Sequence, residues 1–258
     1  MTRHLHNGGG IRGNENRLKG RGIFITLEGI DGTGKSTQLR LLAAWLRRRG
    51  YHPLITREPG GTRAGEQIRG VLLASANRKL TPMAELLLMY AARHQHLEEV
   101  VRPALARGEL VLSDRFNDAS FAYQGYGRKL GDRPVRLLDE LICGSTQPGL
   151  TLILDAPPQV AGKRSRGRSG DGKHRRFENA GLRFQAGVRR GYLAIARRDP
   201  GRVKIVRADG PVGEVQAEVR RLVEVFLARL PAYAPSKPKA KKRGRGTIGD
   251  SLNLNCHL

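Results

Sequence analysis

Between residues 29 and 36 the chain reads Gly-Ile-Asp-Gly-Thr-Gly-Lys-Ser, and Thr37 follows. That spacing of glycines, lysine and hydroxyl suits a triphosphate. Glycines let backbone N–H groups close around phosphate oxygens with no Cβ in the way. Lys35 can reach the β- and γ-phosphates, Ser36 can ligate Mg²⁺, and a following helix turns its positive end toward the anion. The stretch Gly29, Ile30, Asp31, Gly32, Thr33, Gly34, Lys35, Ser36 and Thr37 is therefore the candidate loop for ATP, with Mg²⁺ as the accompanying cofactor.

Further polar clusters carry the residue types that phosphate chemistry uses. Arg57-Glu58-Pro59-Gly60-Gly61-Thr62 reads as a tight loop offering Arg57 and backbone donors. In Asp114-Arg115-Phe116, Asp114 suits a second protein ligand of Mg²⁺, and Arg115 offers a planar fork for phosphate. Asp155-Ala156-Pro157-Pro158 leads into a basic stretch where, from Lys163 to Arg176, seven Lys/Arg stand against one acid, Asp171. In a phosphate enzyme this reads as a lid whose arginines meet transition-state charge. Each feature has a plainer alternative: a strand-end aspartate can cap a loop, an arginine can serve a surface ion pair, and a charge run can be a solvated face. His94 and His96, two apart in a helix, share no face and make a poor metal pair, so surface or supporting positions suit them.

No guanine-reading Asn-Lys-x-Asp run is present. Nor does any side chain stand out as the activator of water or a hydroxyl. A phosphate monoester acceptor needs none, because its second pKa lies at about 6 and it is already largely a dianion at neutral pH. The task left to the protein is to hold two anions together, for which many arginines are required.

The elements that must position these residues follow from periodicity. Ile23–Leu27 is a short apolar, β-rich run before the glycine loop, and Gln38–Arg49 follows with Leu39, Leu42, Ala43 and Leu46 at helical spacing. Further strands are predicted at 52–56, reached by a turn at Gly50, and at 110–113, 150–154 and 203–206. Thr81-Pro82 is an N-cap followed by proline at the first helical position, opening a helix with Leu86, Leu87, Met89 and Tyr90. Other helices are predicted at 134–142, 179–198 and 212–228. Strands alternating with helices predict a parallel, three-layer α/β sheet with ligands at the strands' C-terminal ends.

With 258 residues, the chain suits one domain plus extensions. Its formal charge of +24 is unevenly spread, with +4 in residues 1–21 and +5 in 231–258. Both segments have the composition of disordered basic extensions, leaving a domain at 22–230 with a lid at about 163–176. The C-terminal basic run is either a solvated tail or a nucleic-acid contact, and no aromatic residues interleave its charges. No apolar run approaches the roughly 18 residues of a membrane span, and the N-terminal segment lacks the apolar stretch of a secretory signal. Two cysteines, Cys143 and Cys256, make neither a disulfide framework nor a metal motif, which fits a cytoplasmic location.

Glu-Gly-Ile-Asp-Gly-Thr-Gly-Lys-Ser-Thr (28–37), Thr-Arg-Glu-Pro-Gly-Gly-Thr (56–62), Tyr-Ala-Ala-Arg (90–93), Asp-Arg-Phe (114–116) and Ala-Tyr-Gln-Gly (122–125) occur in that order. Together they closely resemble bacterial thymidylate kinases, a likeness running from about Gly22 to Phe226. The resemblance implies phosphoryl transfer from ATP to dTMP, a five-stranded P-loop nucleoside-monophosphate-kinase fold and a homodimer. It also implies that Asp31 holds the acceptor's 3′-hydroxyl, that Arg115 and Arg57 bind its phosphate, and that Arg93 faces the thymine carbonyl. The resemblance further implies that Ser120 meets the base and that Tyr123 packs against the sugar's 2′ side. Gly32 stands where some members carry a basic residue, and members lacking it place catalytic arginines in the lid, matching Arg164, Arg166 and Arg168. Two lesser departures are Met89, where a phenylalanine usually stacks on thymine, and Arg175, where an acid usually precedes Arg-Phe-Glu. Two other readings stay open: a deoxynucleoside monophosphate kinase of different or relaxed specificity, and a P-loop scaffold that binds nucleic acid through its basic surface.

Overall fold

The computed structural model describes residues 22–77, 79–166 and 176–230. The basic extensions at 1–21 and 231–258 lie outside the described residues, as does the part of the expected lid that holds Arg168. Five strands, β1 (Ile23–Glu28), β2 (Leu54–Arg57), β3 (Leu110–Asp114), β4 (Leu150–Asp155) and β5 (Val203–Arg207), form one parallel sheet in the order β2-β3-β1-β4-β5. The helices are α1 (Lys35–Arg48), α2 (Arg63–Leu73), α3 (Pro82–His96), α4 (Arg102–Ala106), α5 (Asn117–Ser120), α6 (Asp132–Ile142), α7 (Pro158–Arg166), α8 (Gly181–Arg198) and α9 (Val212–Ala228). Wide π-type turns at Leu97–Val101 and Phe121–Gly127 continue α3 and α5.

Alternation along the central strand builds the two layers. Ile23, Ile25 and Leu27 of β1 pack with Leu39, Leu42 and Leu46 of α1 and Val219 and Val223 of α9. Phe24 faces the opposite layer, with Leu86, Tyr90 and Phe116. That second face is partly polar. Thr26 and Thr151 share a 2.9 Å hydroxyl contact, Thr151 donates to Asp118, and Arg202 pairs with Asp118 at 2.7 Å, so the buried groups are partnered.

The expected strands are all present with shifted ends. β2 begins at Leu54 rather than residue 52, since its ladder with β3 starts at Leu54 opposite Val111 and Pro53 has no N–H to give. The other four run one residue further, so that Glu28, Asp114, Asp155 and Arg207 are still strand residues. α1 begins at Lys35, three residues before the expected start at Gln38, because Gly34 caps it in the left-handed conformation with φ of 90°. As expected, Thr81 caps α3, its hydroxyl accepting from the Ala84 N–H. Helix α2, not expected, is capped by Thr62 accepting from the Gly65 N–H. The basic segment expected as a lid begins as helix, since α7 runs to Arg166.

Candidate active site

Register brings the polar clusters together. Arg57 of β2 pairs with Asp114 of β3, and Asp114 pairs with Leu27 of β1, so the three loops that follow leave the sheet side by side. Each loop is remote from the others in sequence, and parallel pairing alone sets their ends level.

In the glycine loop Lys35 is buried, its ammonium donating to the carbonyls of Gly29 (3.1 Å) and Ile30 (3.0 Å), with the Asp31 carboxylate 4.0 Å away. Burial pushes this ammonium down to about 8, helped by the Arg115 cation and opposed by Asp31 and Asp114. The Ser36 hydroxyl donates to Asp114 Oδ2 at 2.8 Å, which joins the two residues expected to hold Mg²⁺. A hydroxyl and a single carboxylate are hard oxygen ligands, the small protein share that Mg²⁺ takes when phosphates and water fill its octahedron. Among the described residues no cluster of three His, Cys, Asp or Glu competes as a metal site. Gly32 has a structural reason to be glycine: a Cβ there would lie 2.0 Å from the Ala161 carbonyl oxygen of α7. A side chain at that position is excluded by α7.

Arg115 crosses from the end of β3 back over the loop. Its Nη1 donates to the Gly29 carbonyl (2.9 Å) and the Tyr192 hydroxyl (3.1 Å), and its Nη2 to Asp31 Oδ1 (2.6 Å) and the Tyr123 hydroxyl (2.9 Å). The Tyr123 ring also lies beneath the guanidinium, 4.8 Å from its carbon. Burial pushes the phenols of Tyr123 and Tyr192 up, so both stay neutral. Asp31, Arg115 and Tyr123 are thus one contact group.

Arg93 sits deeper, only 2% exposed. Its Nε donates to Glu58 Oε2 (2.7 Å), Nη1 to Ser120 Oγ (3.0 Å) and Nη2 to the Phe116 carbonyl (2.9 Å). Glu58 in turn meets His96 Nδ1 at 2.9 Å, and the other ring nitrogen meets the Thr56 hydroxyl at 2.6 Å. Met89 is partly buried in the cluster of Tyr123 and Phe177, and Phe121 packs against the same cluster. Arg57 is less constrained, more than two-fifths exposed and paired with Glu66 at 3.0 Å.

Arg164 is committed elsewhere. Its guanidinium donates to the carbonyls of Ala208 (2.6 Å) and Asp209 (2.9 Å) in the loop after β5. There it lines a cleft with Gly34, Thr37, Gly210, Pro211 and Val215, beside the glycine loop. Arg166 ends α7, and Arg168 lies outside the described residues.

Sequence reasoning assigned no role to Glu58, Glu28 or Tyr192. Glu58 and Glu28 stand inside quoted motifs and could have been singled out as acids beside phosphate-type loops. Tyr192 lies mid-helix with no local signal. His96 is a supporting residue, fully buried, whereas His94 is exposed.

Comparisons with known proteins point to one family. Residues 27–219 match the family described as thymidylate kinase. The chain is 48% identical over 206 residues to the thymidylate kinase of Pseudomonas savastanoi pv. phaseolicola, covering 80% of this chain and 97% of that one. It is 50% identical over 196 residues to the thymidylate kinase of Syntrophotalea carbinolica, covering 75% and 91%. The crystal structure of thymidylate kinase from Ehrlichia chaffeensis superposes with a TM-score of 0.63 at 30% identity, over 79% of this chain and 99% of that one. The chain belongs to the thymidylate kinase family of nucleoside monophosphate kinases.

Proposed function

We propose that the protein transfers the γ-phosphoryl group of ATP to dTMP, in line and without a general base. The observation that carries this reading is the register that sets Lys35, Ser36 and Asp114 beside Arg115, Asp31 and Tyr123, a cationic phosphate-type loop against a second arginine-based anion site. Lys35 leaves its carbonyl partners for the triphosphate, and Ser36 and Asp114 hold Mg²⁺, which when bound neutralises phosphate charge. The cleft lined by Gly34, Thr37, Pro211 and Val215 takes the donor's base, with Arg164 at its edge. Arg115 and Arg57 bind the acceptor phosphate, Asp31 its 3′-hydroxyl, and Tyr123 the sugar. Arg93 and Ser120 face thymine across Met89. The dianionic acceptor attacks directly, and the lid arginines Arg166 and Arg168 supply transition-state charge, joined by Arg164 once it leaves the Ala208 and Asp209 carbonyls.

The kinase unit on this reading is 22–230, with basic extensions on either side. Met83 and Leu87 of α3 and Leu137 and Leu141 of α6 are exposed on two helices packed together, and we assign this face to a homodimer. Among the described residues no helix is long and apolar enough to cross a membrane, and we place the protein in the cytoplasm.

The decisive assay is coupled ADP release with ATP–Mg²⁺ and dTMP, dUMP, dCMP or dGMP in turn. The reading expects dTMP to give the highest kcat/KM, and a rate for dTMP no better than the other three overturns it.

A further inference from the structure

Glu28, the last residue of β1, falls by alternation on the face that α8 covers, and it is fully buried. A carboxylate in that position is costly unless its oxygens are bonded. Oε1 accepts from the Phe116 N–H and Oε2 from the Tyr192 hydroxyl, each at 2.7 Å. Having given its single proton to Glu28, the Tyr192 hydroxyl can only accept on its other side, and it accepts from Arg115 Nη1. With Glu28 ionised the relay runs from guanidinium to phenol to carboxylate; burial, opposed by the Arg115 cation, pushes that carboxyl up to about 7.

The two arms of Arg115 differ accordingly. Nη1 spends both its protons on the Gly29 carbonyl and Tyr192, which are fixtures of the fold. Nη2 likewise spends both its protons, on Asp31 and Tyr123, but on the side where the Asp31 side chain is 27% exposed, so a phosphate there would take the place of one of these partners. The residue itself is held at φ of 74°, a conformation rare for a non-glycine residue and maintained only by its surroundings. Tyr192 reaches the site because α8 lies close against the Phe121–Gly127 turn. A Cβ on Gly191 would lie 2.9 Å from the Ala122 Cα and 3.0 Å from the Tyr126 side chain.

We propose that Tyr192 and Glu28 are positioning residues for Arg115, anchoring its Nη1 arm so that the Nη2 arm is presented to the acceptor phosphate. This rests on the reading of Arg115 as an acceptor-phosphate residue, and the experiment separates the two. In the full-length chain, Tyr192→Phe keeps the ring and its packing and removes only the relay oxygen. The KM for dTMP should rise about tenfold, the scale of one hydrogen bond to a charged group, with the KM for ATP unchanged. Glu28→Gln should act in the same direction, and the double variant should be no worse than the worse single one, because both break one relay. Isothermal titration with dTMP should show the same weakening without turnover. Arg115→Lys, run in parallel, tests the underlying reading: an unchanged KM for dTMP there overturns the role of Arg115 itself. If Arg115→Lys raises that KM while Tyr192→Phe leaves it within twofold, or shifts the KM values for dTMP and ATP equally, the positioning proposal fails and the role of Arg115 stands.

Discussion

In the proposed donor half, Lys35, Ser36 and the glycine turn occupy consecutive positions, and local backbone geometry builds the loop. In the acceptor half, Arg93, Arg115, Tyr123 and Tyr192 come from separate segments and meet only because sheet and helices bring them together. The donor half spends its polar groups on the ligand to come, with Lys35 parked on two backbone carbonyls. The acceptor half spends them on one another, so that Arg93 is bonded through all three of its nitrogens before any ligand arrives. Changes in the first should therefore be read mainly in rate, and changes in the second in both stability and acceptor binding.

Glu58→Ala should produce the largest effect on stability. It strands the Arg93 guanidinium and the His96 ring in the interior, and breaking a buried pair in this way costs about 3–5 kcal/mol. Denaturant unfolding would measure it, and a loss below about 1 kcal/mol would show that the acceptor half is not a structural network. Lys35→Met should remove about 3–4 kcal/mol of transition-state stabilisation, a kcat lower by several hundredfold, with the unfolding midpoint little changed. Near-normal turnover would take the loop out of the mechanism.

The same lysine gives the donor half a pH signature. Its ammonium, held at about 8 by burial, is the form that binds anions, and it is lost as pH rises through that value. The kcat/KM for ATP, which reports the free enzyme, should fall above pH 8 by roughly tenfold per unit. A profile flat to pH 9.5 would show that burial does not lower the Lys35 ammonium in the free enzyme. On the acceptor side, Met89→Phe should sharpen the preference for dTMP over dUMP by about two- to tenfold, the worth of an aromatic contact of about 0.5–1.5 kcal/mol. Competition kinetics with the two nucleotides would show it. The smallest effect is expected for Glu66→Gln. Its pair with Arg57 is exposed on both sides, and stability should move by less than about 1 kcal/mol.

The same contrast explains what the amino-acid sequence disclosed. A loop fixed by neighbours along the chain is visible as a motif, and so are β1, β3 and β4, since the buried centre of a parallel sheet needs continuous hydrophobic runs, while the half-exposed edge strands β2 and β5 show shorter ones. Helix α2 escaped notice because only two of its residues, Gly65 and Leu72, are buried, leaving almost no periodic stripe. The role of Tyr192 is invisible for a different reason. It depends on a hydrogen bond to a residue 164 positions away, and a tyrosine in mid-helix has the same local signature whether it fills a core or orients an arginine. Arg164 was legible as charge, but its placement on the loop after β5 depends on tertiary carbonyls that no spacing encodes.

The strand order also sets a schedule for synthesis. β1 is the first strand to leave the ribosome and sits at the centre of the sheet, yet its neighbours begin only at Leu110 and Leu150. Until those segments emerge, the glycine loop has no Asp114 beside Ser36 and no Leu154 backbone behind it. Nucleation must wait for contacts across long stretches of chain, the kind that slow folding. Nascent chains ending before β4 should accordingly lack nucleotide affinity, and the site should arise in one cooperative step as the C-terminal helices arrive.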